Sequence, residues 1–363
     1  MPKVTILHTG GTIASKVDYK TGAVLWQFSP SELLNLFPEL NEIAQIEAKM
    51  IRNMASDDMR FDHYNIMVDE IKTAIENKTS GIIISHGTDT LHYTAAALQY
   101  MCSNLKVPVI LVGAQRSSDR ASSDAFTNLN AAVRFILEND KLEKKYTRVG
   151  ICMHETISDD SFLILDGINA KKMHSSRRDA FKQINYQPVC KIKDNKIDEK
   201  TLRKDLFVTS NNEKTIFTKL NSKLKIGFMK IHPNMFAEEL NIYDKFDALI
   251  IEGTGLGHIP ITELDEFTSE HPKILSKIES LIKSGVKVVI GTQTVYGQID
   301  RNVYSPGRTL NDFGFYGNYL NLITDSLFIR TAYILSLPEG KKNFDKYWSE
   351  NLEKIKVQDL DVE

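Results

Sequence analysis

At 363 residues, 42% apolar and 25% charged, the chain has the composition of an ordinary globular protein with core enough for two domains or one large one, so disorder is not the default. A formal net charge of -2 leaves no electrostatic footprint for non-specific nucleic-acid binding, and any contact with RNA is expected to be local or made by a partner. Three cysteines, Cys102, Cys152 and Cys190, odd in number and far apart, exclude a disulfide framework and a CxxC metal site and read as packed thiols in a reducing compartment.

Val4, Thr5, Ile6 and Leu7 predict a buried strand close behind Met1, leaving no room for a secretory leader, and the expectation is a cytoplasmic protein. The longest apolar runs, such as Val107 to Val112, are strand-sized and too short to span a membrane. Gly10 and Gly11 then let the backbone turn sharply, and Thr12 is expected at the strand's carboxyl edge, where ligands bind in open α/β sheets. Lys16 to Leu25 reads as a polar surface loop carrying Tyr19, and Ser29-Pro30-Ser31-Glu32 opens a helix through Leu36 that Pro38 stops.

A strand over Ile46 to Ile51 runs into Ser56-Asp57-Asp58, where Asp58 fits the N-cap of a helix expected from His63 to Glu76. Ile82 to Thr90, IIISHGTDT, repeats the layout of the first strand: an apolar run, a glycine, then Thr88 and Asp89. A helix follows from Tyr93 to Met101, then the strand Val107 to Val112, the polar loop Gly113 to Asp124, and a helix from Ala125 to Leu137. Val149 to His154 is a further strand, Phe162 to Leu165 a hairpin arm, and Lys171 to Phe181 a basic loop. This alternation is the signature of a doubly wound, mainly parallel sheet.

Between Cys190 and Ser222 the sequence turns charged and Asn-rich without an apolar period. The expected division is therefore an N-terminal domain over 1–190, a linker over 191–222 and a smaller α/β C-terminal domain over 223–363, with strands at Lys225 to Ile231, Ala248 to Ile251 and Val286 to Ile290 and helices near Phe236 to Leu240, Ile274 to Ile282, Asp325 to Leu335 and Asn343 to Ile355. The run Gly253-Thr254-Gly255-Leu256-Gly257 lacks both the Lys-Ser/Thr ending of a P-loop and the acidic partner of a dinucleotide fingerprint.

Two hydroxyl-bearing turns face one crevice if their strands are neighbours in a parallel sheet, and a threonine becomes a nucleophile once a base removes its proton. The chain supplies Thr12 or Thr88 as nucleophile, Tyr19 or Lys172 as proton acceptor, and turn N–H groups for an oxyanion, with Asp89 to hold the lysine. Asp57 and Asp89 suit the α-ammonium of a small amino acid. The residues alone lead to acyl or amide transfer by a hydroxyl, with no step that needs a metal.

TGGTIAS, the SDDM turn, HGTDT, the basic loop with Lys172, EGTGLGHIP and TQTVYG occur in the order found in the asparaginase/glutaminase family, which the chain resembles along most of its length. The resemblance implies the two-domain fold of that family. It implies attack by Thr12 with Tyr19 on a closing loop, Thr88, Asp89 and Lys172 as a second hydroxyl-acid-base set, and Gly11, Ser56, Asp57 and Asp89 as the substrate-binding residues. It also implies a homodimer or tetramer.

Within the family, DYKTGAV, GAQRSSDRASSDA and KMHSSRRDAF resemble the branch formed by the D subunits of archaeal glutamyl-tRNA(Gln) amidotransferases, apart from Ala121 where proline is expected. That resemblance implies ammonia release from glutamine for a partner, the amidotransferase's E subunit, which uses ATP and Mg to amidate glutamate on tRNA, while this chain needs no cofactor of its own. That branch carries a β-rich domain ahead of the TGGT strand, which leaves open a solitary L-asparaginase acting on asparagine. A non-catalytic amino-acid-binding protein is disfavoured, because Thr12, Thr88, Asp89 and Lys172 are all present.

Overall fold

A computed structural model of the chain describes residues 1–350 apart from 12, 14, 18, 19, 22, 23, 27–36 and 210–212. Thr12, Tyr19 and the helix expected from Ser29 lie outside the described residues, as do 351–355 of the last expected helix. The chain divides into two compact units, Met1–Leu220 and, from Asn221, a second ending at Glu350.

The first unit is built on β1 (Lys3–Gly10), whose residues after Lys3 are all buried, as its β-branched and aliphatic run requires. It is flanked by parallel β2 (Gln45–Met54) on one side and parallel β3 (Gly81–Ser85) on the other. Next come parallel β4 (Val109–Val112) and β5 (Val149–His154), then antiparallel β6 (Ser161–Asp166). Helices α1 (Phe61–Glu76), α2 (Leu91–Met101) and α3 (Ala125–Lys141) connect the parallel strands. Val4, Ile6, Ile83, Ile110, Val112 and Cys152 share one core with α3, while the alternate residues Leu7, Ile82, Ile84, Val109 and Leu111 are also buried. The sheet is therefore covered on both faces, the doubly wound arrangement expected.

Because the chain leaves β1 toward β2 and then returns across it to β3, the order reverses between β1 and β3. Such a switch point opens a crevice at the strands' carboxyl ends, and it is there that open α/β sheets bind ligands.

Several expectations shift. Phe162 to Leu165 is the hairpin arm expected, pairing antiparallel with β5, but it lies inside the eight-stranded sheet as part of β6 and is hydrogen-bonded on both sides. Residues 191–222, expected as a linker, lie within the first unit down to Leu220. There β9 (Cys190–Lys193) and β10 (Lys196–Asp198) form the sheet's antiparallel edge, after the small ribbon of β7 (Ala170–Lys172) and β8 (Phe181–Gln183). An edge strand keeps one face in water and is studded with charge, here Lys193 and Lys196, which masks its apolar residues Ile192 and Ile197. Helix α1 takes Arg60 rather than Asp58 as its N-cap, with the Arg60 N–H donating to His63 Nδ1 at 2.9 Å.

In the second unit β11 (Ile226–Lys230), β12 (Ala248–Gly253) and β13 (Lys287–Thr292) form a parallel three-stranded sheet. Leu249, Ile251, Val288 and Ile290 pack on α4 (His271–Lys283), whereas Ile250 and Val289 pack on α5 (Thr324–Ser336) through Leu327. The helix expected near Phe236 is a run of 3-10 turns, Ala237–Lys245. The Gly253 to Gly257 run closes on itself, the Thr254 N–H donating to His258 O at 3.0 Å and the His258 N–H to Thr254 O at 2.9 Å. Among the described residues no helix is long and apolar enough to cross a membrane.

Candidate active site

Three loops meet at the switch point because glycines let their backbones touch. Gly11 has φ +79°, and a Cβ placed on it would lie under 3.0 Å from the backbone N of Gly87, so the turns after β1 and β3 pack main chain against main chain. A Cβ on Gly87 would in turn lie 2.8 Å from the Ser56 Oγ. Thr90 ties the same corner: its hydroxyl donates to Ser56 O at 2.6 Å and its N–H to Ser56 Oγ at 3.4 Å. The ends of β1, β2 and β3 are thus one cluster, with Ser56 buried inside it and Asp57 exposed on the same 3-10 turn, Ser56–Asp58.

Thr88 is buried at the end of this cluster, and Lys172, the last residue of β7, reaches it from the ribbon. The Lys172 Nζ donates to Thr88 Oγ1 at 2.8 Å and to Asp89 Oδ1 at 2.8 Å. The lysine side chain is 10% exposed and the aspartate 70%, so the pair straddles the protein boundary with the ammonium on the inner side. An ammonium bonded to a hydroxyl oxygen is one proton transfer away from an amine that can take the hydroxyl's proton, and this is the geometry of an activated nucleophile. Asp89 orients the lysine as the third member. Helix α2 begins at Leu91, so the partial positive charge of its first turn lies beside Asp89 and Thr88, where negative charge would develop.

The wall behind Thr88 is the loop 113–124. A Cβ on Gly113 would lie 2.6 Å from Thr88 Cγ2, so only glycine lets this loop close on the threonine. The buried carboxylate of Asp124 accepts the N–H groups of Gln115 and Arg116 at 3.0 Å and shapes the loop. Ser118 Oγ donates to Ile13 O at 2.5 Å, binding the loop to the turn after β1, and Gln115 turns its Oε1 to the Thr88 hydroxyl at 3.5 Å. Asp124 escapes sequence reading because an aspartate before a helix looks like an N-cap; its carboxylate makes no cap bond to α3 and serves the loop instead.

Two buried imidazoles support the strand ends. His86 bonds the Gly87 carbonyl through Nδ1 at 2.7 Å and the Thr94 hydroxyl through Nε2 at 2.9 Å, and His8 pairs through Nδ1 with Ser85 Oγ. Burial pushes each imidazole down to about 4. Above the unfolded value of 6.5 both states are neutral and the folded state keeps its full stability. As pH falls below 6.5 the unfolded chain takes up protons that the folded one refuses, and stability is lost progressively until the folded rings titrate near 4. Moving from pH 7 to pH 5 is expected to lower stability by about 2 kcal/mol per histidine. Urea unfolding at both pH values checks this, and His8→Gln should remove about half of the difference.

The structure therefore brings together Thr88, Asp89 and Lys172, with Gly11 and Ser56 in the adjoining turns; Thr12 and Tyr19 lie outside the described residues. All three cysteines are buried free thiols, and burial pushes the Cys102 thiol up to about 12. Among the described residues no group of three or more His, Cys, Asp or Glu side chains could hold a metal ion.

Comparison with known proteins agrees with this fold. Residues 3–203 match the family model "Asparaginase, N-terminal" and residues 225–347 "Glutaminase/Asparaginase C-terminal domain". Similar curated proteins include the D subunit of the glutamyl-tRNA(Gln) amidotransferase of Methanococcus vannielii, 40% identical over 349 residues, which covers 94% of this chain and 77% of the relative. That of Pyrococcus furiosus is 40% identical over 349 residues, covering 94% and 75%. Among solved structures, the thermostable L-asparaginase from Thermococcus kodakarensis superposes with a TM-score of 0.82 at 24% identity, covering 98% of this chain and 100% of that one. L-asparaginase I from Vibrio cholerae gives 0.81 at 22%, covering 98% and 99%. At those identities the two structures speak for the fold.

Proposed function

Since the chain belongs to the asparaginase/glutaminase family, we propose that it is the glutaminase component of a tRNA-dependent amidotransferase, releasing ammonia from glutamine with threonine hydroxyls as its nucleophilic groups. The observation that carries the chemistry is Lys172 Nζ at 2.8 Å from both Thr88 Oγ1 and Asp89 Oδ1. The choice of pathway is supported by relatives named as the D subunit of glutamyl-tRNA(Gln) amidotransferase, at 40% identity over 94% of the chain.

In the first step a threonine oxygen bonds to the glutamine side-chain carbonyl carbon, its proton passes to the base, and the C–N bond breaks as ammonia leaves with that proton. Water then adds to the resulting ester, releasing glutamate and restoring the hydroxyl. We assign attack to Thr12 with Tyr19 beside it, proton handling to Thr88, Asp89 and Lys172, and the substrate's α-carboxylate and α-ammonium to Gly11, Ser56, Asp57 and Asp89. The ammonia goes to a larger partner, the amidotransferase's E subunit, to which ATP and Mg are assigned, for amidation of glutamate on tRNA(Gln). A homodimer in the cytoplasm completes the reading.

If the proposal holds, the isolated chain releases ammonia from glutamine weakly, and the rate rises when the partner and glutamyl-tRNA bind, because their binding energy assembles the site. Copurification from the native cell should bring down the ATP-using partner. Rapid hydrolysis of asparagine, indifferent to partner and tRNA, overturns the pathway in favour of a solitary L-asparaginase.

A further inference from the structure

A chain of side chains that the chemistry above does not use runs behind Thr88 and Lys172. His154, the last residue of β5, is wholly buried and has a hydrogen-bond partner at each ring nitrogen: Asn128 Oδ1 lies 2.7 Å from Nδ1 and Asp159 Oδ1 2.8 Å from Nε2. Asn128, on α3, sends its amide on to Gly113 O at 3.1 Å and to Asp124 Oδ2 at 3.3 Å, so one end of the chain grips the loop that closes on Thr88. At the other end Asp159 Oδ1 also accepts from Arg178 Nη1 at 2.9 Å, and Arg178 Nη2 donates to Ser122 O at 2.7 Å. Arg178 belongs to the loop joining β7 to β8, the ribbon that carries Lys172.

Two walls of the site are thereby tied together: the Lys172 ribbon through Arg178, and the 113–124 loop through Asn128 and Ser122. Burial pushes the Asp159 carboxyl up, but the hydrogen bonds from His154 and Arg178 outweigh it and hold it below its ordinary range. The carboxylate is thus kept ionised as the knot between the two. We infer that Arg178, Asp159 and His154 are positioning residues for the amide hydrolysis: they hold the ribbon against the loop and so set the distance from Lys172 Nζ to Thr88 Oγ1. The kinetic part of this inference rests on the amidohydrolase reading; the placement of Lys172 does not.

The test uses the full chain, alone and with its partner, in Arg178→Ala, Arg178→Lys and Asp159→Asn forms. Since misplacement by an ångström costs up to about a hundred-fold, kcat for ammonia release should fall roughly ten-fold in Arg178→Ala and Asp159→Asn with KM within about two-fold. Arg178→Lys should recover most of the loss. Because both residues act through one chain, the double variant should be little slower than either single one.

Trace acetylation with acetic anhydride, read at Lys172 by peptide mass spectrometry well below the Tm of every form so that only the folded state is labelled, reports the placement of the lysine directly. In both variants its rate should change by roughly three-fold or more relative to Lys171, as a lysine released from its two partners requires. Unchanged Lys172 labelling in both variants overturns the inference, whether or not kcat falls. If no form hydrolyses an amide while the labelling still shifts, the amidohydrolase reading fails and the positioning stands. Should Arg178→Ala not fold, the isosteric Asp159→Asn carries the same comparison.

Discussion

Lys172→Met is expected to slow ammonia release from glutamine by about 10²- to 10⁴-fold, the range that a positioned acid-base group contributes. Methionine fills a similar volume in the largely buried lysine slot, and the carboxylate it leaves, Asp89, is 70% exposed and stays solvated, so the Tm should stay within a few degrees of the parent. What is lost is the group that donates to Thr88 Oγ1 at 2.8 Å and is itself held by Asp89 at 2.8 Å. Lys172→Arg separates two explanations. Arginine keeps the charge and an ion pair to Asp89 but cannot give up its proton near neutral pH. If Lys172 works by proton transfer, the arginine form is as slow as the methionine form. Recovery of activity in it would reduce Lys172 to a fixed charge. Thr88→Val, which removes only the hydroxyl, should match the loss; normal turnover by that variant would remove Thr88 from the mechanism.

Gly11→Ala has the second large effect, and it falls on the fold and the site together. The residue sits at φ +79°, where an L side chain is strained by about 1 to 2 kcal/mol, and its Cβ would come under 3.0 Å from the backbone of Gly87. Main chain cannot swing aside as a flexible side chain can. The turns after β1 and β3 must part, at a total cost of about 3 kcal/mol or more. The expected readout is a Tm lower by roughly 6 to 12 °C, with activity lost even at temperatures where the protein remains folded. Gly255→Ala is the control: its φ is +48°, but nothing lies within 4 Å of the added Cβ. It should cost only about 1 kcal/mol, the backbone strain alone. Equal losses at the two positions would mean that the close contact of the turns has no energetic weight.

The contrast between those two glycines separates what sequence reports from what it does not. Both sit in glycine-threonine runs that follow apolar strands. Only at Gly11 does a second turn arrive from 76 residues away to make the glycine obligatory. The buried parallel strands β1, β3, β4 and β5 are plain in the sequence because burial on both faces demands unbroken apolar runs, and the doubly wound class follows from their alternation with helices. The edge strands β9 and β10 are not, because half of each faces water and reads as loop.

Among site residues, the amino acids themselves carried the reaction type: two threonine turns, an aspartate beside one of them and a lysine in a basic loop are a recognisable chemical set in the order they occur. Their distances belong to another level. Lys172 meets Thr88 because β7 pairs with β8 in a register that sets Lys172 opposite Phe181, and because β3 lies beside β1 at the point where the strand order reverses. The side chains that brace this meeting, Asp124, Asn128, His154, Asp159 and Arg178, look individually like a helix cap, core polar residues and surface charges. Side-chain chemistry is a property of each residue and can be read along the chain. Which groups share a hydrogen bond depends on strand order and register, which long-range packing decides and no local pattern encodes.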